Sequence, residues 1–185
     1  MTLLREGLLA GRSVALAGSV PGPVRDGLAG LGARVETVPA DLSEEDDAVG
    51  SWARERAPLH AIVFDAGAAF GGGGSDALTG ALERAWSAVH EVAAGALIEG
   101  GEPGKVVLVG PRPDAGPLAG AARAGLENLA RTLSVEWARY QITAAMVAPG
   151  AETDDEPLAE LVAFLCSSGG EYLSGCRLEL GALGR

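Results

Sequence analysis

Apolar and polar positions follow two rhythms along the chain. Short continuous apolar runs, closed by turn residues, alternate with stretches in which apolar residues recur every three or four positions. The runs are Ser13–Ala17, Ala33–Val38, Ala61–Phe64, Lys105–Val109, Ile142–Val147 and Arg177–Leu180. Gly18, Pro39, Asp65-Ala66-Gly67, Gly110-Pro111 and Pro149-Gly150 end the first five. Each run has the length of a strand and, for these five, the turn chemistry that stops one. Continuous runs predict strands covered on both faces.

The stretches between them read as helices. Leu126, Leu129, Leu133 and Trp137 mark one face of a helix from Pro117 to Tyr140. Leu82, Trp86, Val89 and Ala93 mark a second stripe, and Leu158, Leu161, Val162 and Leu165 a third. Ser43-Glu44-Glu45-Asp46 has a capping-box pattern with acids in the first turn, which predicts a fourth helix. Strands alternating with helices predict an α/β fold with a mainly parallel sheet. Neither an internal repeat nor a linker divides the chain, so residues 1–185 read as one domain. Gly71-Gly72-Gly73-Gly74-Ser75 reads as a flexible loop.

Composition narrows the function. The chain has 185 residues, enough to bury a core, and a formal charge of −11 with a single lysine, Lys105. Nucleic-acid affinity comes mostly from Lys and Arg on phosphates, so nucleic acid is a poor partner. An anionic membrane surface repels the chain as well, and no run of 18 apolar residues predicts a spanning helix. Met1–Gly11 lacks a secretory apolar core, and with two cysteines, Cys166 and Cys176, the expectation is a reduced cytoplasmic domain with buried free thiols. His60 and His90 are the only histidines and nothing near them has metal-ligand spacing, so no metal is expected. Neither a nucleophile elbow nor a phosphate loop is present.

In open α/β sheets, ligands sit beyond the carboxyl ends of the strands. Those ends carry Gly18, Gly67, Gly110 and Gly150, which fit either a ligand crevice or plain turns. The acidic runs at Ser43–Asp47 and Asp154–Glu156 fit solvated helix starts better than cation sites.

The segment Ala121–Ala138 is followed by Ile142 through Ala148-Pro149-Gly150, then Leu161–Ser168, then Tyr172-Leu173-Ser174-Gly175. This order resembles the short-chain dehydrogenase/reductase family: its active-site helix, its strand ending in Pro-Gly, its late helix and the entry to its last strand. Upstream, Phe64-Asp65-Ala66-Gly67 is similar to the family's Asn-Asn-Ala-Gly strand end. Asp41-Leu42 resembles the pair that flanks adenine, and Ala17-Gly18-Ser19-Val20-Pro21-Gly22 the start of its dinucleotide turn. The resemblance implies a Rossmann-like, doubly wound sheet of about six strands with helices on both faces. It also implies an NAD or NADP cofactor and carbonyl/alcohol redox chemistry. By that resemblance the cofactor-binding positions are Gly18, Ser19, Gly22, Asp41, Asp65, Ala66, Gly67, Arg123, Pro149, Gly150 and Thr153.

The catalytic positions depart from the family. Its reaction uses a Tyr acid/base, a Lys four residues later, a Ser and an Asn. The Lys position falls on Arg123 and the Tyr position on Ala119. Alanine transfers no proton, and arginine is always protonated. Arginine still offers a fork of donors to a ribose or phosphate. The Ser position falls at Gly110 or Pro111 and the Asn position at Val89 or His90, which leaves His90 as a weak acid/base candidate beside its ordinary role as a packing residue. Val24 replaces the third glycine of the cofactor turn, and Pro21 and Pro23 remove two N–H donors. Pro39 stands where an acid would read the ribose, and a strand-helix unit is expected to be absent after Val38. The substrate cover after Gly150 is also cut, and Thr153 reads better as an N-cap than as a cofactor contact.

The expected function is therefore a non-catalytic short-chain dehydrogenase/reductase-like protein, a structural or regulatory subunit. The cofactor expectation is none or NAD(P). The resemblance implies assembly with itself or with an active family member through the Pro117–Tyr140 helix and the Leu158–Leu180 segment, with Ala121, Ala122 and Gly125 permitting close helix approach. The alternative is an NAD(P)-dependent oxidoreductase acting on a carbonyl/alcohol substrate with a rearranged site, using His90, Arg123 and Asp65. A third option is a module that binds a small ligand in the shortened crevice.

Overall fold

The computed structural model describes residues 4–40, 42, 47–70 and 74–181. One sheet runs through it: β1 (Ser13–Gly18), β2 (Arg34–Thr37), β3 (Ala61–Asp65), β4 (Gly104–Val109), β5 (Ile142–Pro149) and β6 (Cys176–Leu180). The spatial order is β2-β1-β3-β4-β5-β6, and every pairing is parallel. All six strands fall on the apolar runs of the sequence.

The central strands are buried on both faces, which is why they lack alternation. Ile62, Phe64, Leu108 and Met146 face one layer of helices, α2 (Ala48–Glu55), α4 (Ser75–Val92) and α6 (Ala119–Glu136). Val63, Val107, Val109 and Val147 face the other, α1 (Gly22–Gly30) and α7 (Asp155–Cys166). Two short helices, α3 (Ala66–Phe70) and α5 (Ile98–Gly100), complete the set. The chain winds outward from β1 to β2 and then returns to β3 on the other side. The switch point therefore lies between the carboxyl ends of β1 and β3. Only β2 lies outside β1, where the doubly wound order 3-2-1-4-5-6 has two strands. Among the described residues no strand stands between β2 and α2. After Pro149 the chain enters α7 at Asp155 with no helix between.

The helices differ from expectation in four places. The Pro117–Tyr140 helix is α6 plus a 3₁₀ turn at Ala138–Tyr140. In α4 the buried stripe is Ala81, Ala85, Val89 and Val92, while Trp86 is 41% exposed. Small alanines let the helix lie close to the sheet, and an indole at that depth does not fit. Helix α4 also runs on into a π-helical turn, Ala93–Leu97. Gly95 in that turn meets the Gly50 carbonyl of α2, and a Cβ there would stand 2.6 Å from the oxygen. Ser43–Asp46 lies outside the described residues, as does Gly71–Gly73. Helix α2 begins at Ala48, and Asp47 before it makes no capping bond.

The amino ends of the strands carry a second group of polar residues. Ser13 N–H donates to His60 Nδ1 at 3.0 Å, and His60 Nε2 lies 3.4 Å from Glu102 Oε2. Burial, then the charge of Arg12, holds the His60 pKa below its ordinary value. Lys105 is buried, and its Nζ has no hydrogen-bond partner among the described residues. Burial pushes the Cys166 thiol up to about 12. Cys176 is only half-buried, because it sits on the sheet's outer strand rather than in the core. Among the described residues no helix is long and apolar enough to cross a membrane, and no group of three or more His, Cys, Asp or Glu could hold a metal ion.

Candidate functional site

Two clefts flank the switch point. The outer one, about 610 Å³, lies at the ends of β1, β2 and β3, and its lining includes Gly18, Ser19, Pro39 and Phe64, with Arg84 and Glu91 on α4. The central one, about 400 Å³, lies at the ends of β3, β4 and β5. Its lining includes Asp65, Gly67, Gly110 and Pro149 from the predicted set. Arg112, Asp114 and Asp155 also line it; the sequence reading passed over Arg112 and Asp114 and took Asp155, within Asp154–Glu156, as a solvated helix start. Their positions held a signal: Arg112 and Asp114 follow the end of β4, and Asp155 opens the helix after β5. The rule that places ligands at strand ends covers polar residues there as well as glycines.

Asp65 is the last residue of β3 and is 7% exposed. Gly67 N–H donates to its Oδ1 at 2.6 Å, and no other donor among the described residues reaches the carboxyl. Burial first, then the Asp155 charge, pushes its pKa up to about 6, although the Gly67 N–H and the more distant Arg112 charge pull it down. Arg112 is committed elsewhere. Its Nη1 donates to Gly150 O at 3.1 Å and Ala151 O at 3.3 Å, and its Nη2 to Asp155 Oδ1 at 3.2 Å. This tripod ties the end of β4 to the start of α7.

The two family positions on α6 are interior. Ala119 is fully buried in a cluster with Phe70, Ala81 and Ala122. Arg123 is 7% exposed. Its Nη1 donates to Pro111 O at 2.9 Å and to Pro149 O at 2.7 Å, and its Nη2 pairs with Glu179 Oε2 at 3.0 Å. The guanidinium thus braces the ends of β4, β5 and β6. Thr153 is also structural. Gly150 N–H donates to its hydroxyl at 2.8 Å, and that hydroxyl donates to the Leu180 carbonyl. The N-cap of α7 is Asp154, not Thr153, so the threonine closes the loop onto β6 instead of capping. His90 is exposed on α4 with its ring 4.9 Å from that of Trp86, and it lines neither cleft. Asp41 lies outside the described residues.

The turn from β1 into α1 presents few free N–H donors. Pro21 is the N-cap of α1 and Pro23 its second residue, so neither offers an N–H. The N–H groups of Val24 and Arg25 both donate to Pro21 O. Only the Gly22 N–H remains to face an anion in the first turn, and Val24 is buried in the core. A helix start binds pyrophosphate through several free N–H groups. The residues present do not fit that group.

No protein-family model and no curated protein matches the chain. Solved structures do. A citronellol catabolism dehydrogenase, AtuB, of Pseudomonas aeruginosa PAO1 superposes with a TM-score of 0.78 at 22% identity, over 98% of each chain. A mutant of a Serratia marcescens short-chain dehydrogenase/reductase gives 0.75 at 22% identity, over 94% of this chain and 97% of that one. A Beutenbergia cavernae protein, described as a candidate NAD(P) dependent gluconate 5-dehydrogenase and solved with NADP at low occupancy, gives 0.72 at 20% identity, over 95% and 97%. At these identities the likeness is one of fold, and the chain has the short-chain dehydrogenase/reductase fold.

Proposed function

We propose that this chain, on its short-chain dehydrogenase/reductase fold, is a non-catalytic subunit of a homo-oligomer or of a hetero-oligomer with an active enzyme of that fold. The observation that carries the reading is Arg123. It stands at the position of the family's lysine, and both protons of its Nη1 are spent on the Pro111 and Pro149 carbonyls. One turn earlier, Ala119 offers no acid/base. Acid-base catalysis contributes about 10²–10⁴-fold, and this site lacks the group that supplies it in the family. The turn at Pro21–Pro23 supports work without a bound dinucleotide.

Assembly is supported by exposed apolar side chains on the two long helices. Trp86 on α4 is 41% exposed and Val135 on α6 is 77% exposed. Tyr172, just before β6, is 91% exposed. Of the three small residues expected to face a partner, Ala122 is buried within the chain and Gly125 abuts Leu82 of α4, which leaves Ala121.

One observation favours the alternative, an NAD(P)-dependent oxidoreductase with a rearranged site. Asp65 opens on the central cleft with a pKa of about 6, in the range of a working general acid or base. Calorimetric titration with NADH and NADPH, followed by a carbonyl-turnover assay, decides between the two readings. The expected result is no binding and no turnover. Binding together with turnover overturns the proposal.

A further inference from the structure

We infer that the central cleft binds a small organic cation, a protonated amine on an apolar body, with the Asp65 carboxylate as its counter-ion. The inference rests on the cleft alone and is independent of the oligomer reading. Three carboxylates line this cleft, Asp65, Asp114 and Asp155, against one cation, Arg112. Arg112 already gives its Nη donors to Gly150, Ala151 and Asp155. Asp65 is more than nine-tenths buried yet receives a single N–H, from Gly67. Its other oxygen has no donor among the described residues and is not among their sealed, unpartnered atoms, so it opens to the cleft. Buried charges in proteins are paired, and among the described residues no cation is in contact with Asp65. Val109, Pro149, Leu158 and Pro21 form the remaining walls. They suit an apolar body rather than a hydrated metal ion, and a cleft of about 400 Å³ lies within the range of small-molecule sites. An anion is disfavoured because the free charge is negative.

The pH dependence follows from the groups that face Asp65. These are Asp155 at the start of α7 and Arg112 after β4, the one raising and the other lowering its pKa. With a carboxyl titrating at about 6, the ionised fraction falls about tenfold between pH 7.5 and pH 5. Amine affinity falls with it.

Benzylamine, benzyl alcohol and benzoate are the probes, titrated by calorimetry and by chemical-shift mapping on the full chain. Benzylamine is expected to bind, to shift resonances of Asp65 and Gly67, and to weaken about tenfold from pH 7.5 to pH 5. Benzyl alcohol and benzoate are expected to bind at least tenfold more weakly. Asp65→Asn keeps the acceptor for Gly67 N–H and should abolish the preference for amine over alcohol. Should that variant misfold, Ala115→Trp fills the same cleft from the loop after β4 and must block benzylamine. Equal binding of amine and alcohol, tighter binding of benzoate, or no benzylamine binding at millimolar concentration overturns the inference.

Discussion

Gly18 and Asp65 are register partners at the carboxyl ends of β1 and β3, and the Gly18 α-carbon lies against the Asp65 carbonyl. Gly18 has φ +75°, and a Cβ there would overlap the Asp65 oxygen. Both strain and overlap act on backbone, which cannot swing aside. Gly18→Ala should therefore destabilise the fold by about 3 kcal/mol. Urea unfolding of the variant beside the wild type measures it, and a loss under 1 kcal/mol would show that the two strands part easily here.

Asp65 and His60 make stability depend on pH with opposite signs. Asp65 rises from 3.8 to about 6 on folding, so between those values the folded state holds the extra proton. Its contribution to stability is greatest at low pH and is lost as pH rises from about 4 to 6. Asp65→Asn removes this cost and should stabilise the protein above pH 6 by up to about 3 kcal/mol. Thermal melts at pH 7.5 and pH 4 check it: the gain must be present at the first and absent at the second.

His60 works the other way. Its Nδ1 accepts the Ser13 N–H, which requires the neutral ring. Its folded pKa is lowered, so the unfolded chain binds the proton more readily and stability falls as pH drops below about 6.5. In the Asp65→Asn background, NMR titration of the His60 ring should give a midpoint below 6.5. A midpoint above 6.5 would mean that Glu102 outweighs burial.

Arg123 should prove structural in any assay. Arg123→Met leaves the Pro111 and Pro149 carbonyls without a buried donor and should cost about 2–4 kcal/mol. Placing a tyrosine at Ala119 should fail to create activity too. Ala119→Tyr forces a phenol into the cluster with Phe70 and should cost about 2 kcal/mol or more without creating carbonyl reduction. Denaturation curves and an NADPH-linked assay on both variants give the answer.

Trp86→Ala combined with Val135→Arg should convert an oligomer to monomers that still fold, since Val135 is 77% exposed and Trp86, 41% exposed, lies outside the core clusters. Light scattering after gel filtration reads the mass of each form. An unchanged mass would move the interface elsewhere, with Tyr172 the next residue to test.

The strands were legible because burial on both faces writes itself as continuous apolar runs, as at Ala61–Phe64. The central cleft was half legible. Asp65 and Gly67 lie beside a strand end with a recognisable turn, whereas Arg112 and Asp155 matter through a contact between the loop after β4 and the start of α7, 43 residues apart in sequence. Trp86 misled because helical spacing cannot tell an inward indole from one lying one position around the helix. Thr153 misled for a similar reason: a hydroxyl before a helix reads as a cap, and only the nearness of Leu180 in space redirects it. Arg123 reads from sequence as a possible ligand donor because nothing in its own helix shows that its carbonyl partners, Pro111 just past β4 and Pro149 at the end of β5, lie within reach.

The sheet stops at β2, a strand of only four residues, and among the described residues no strand pairs with its outer edge. A bare edge is a template on which other chains polymerise. Here Glu36 on that edge is held between Arg34 at 3.6 Å and Arg56 at 3.8 Å. A brief strand crowded with charge gives an incoming strand little to zip onto. The charge that Glu36, Arg34 and Arg56 place along β2 thus works against edge-to-edge growth of the sheet on this side.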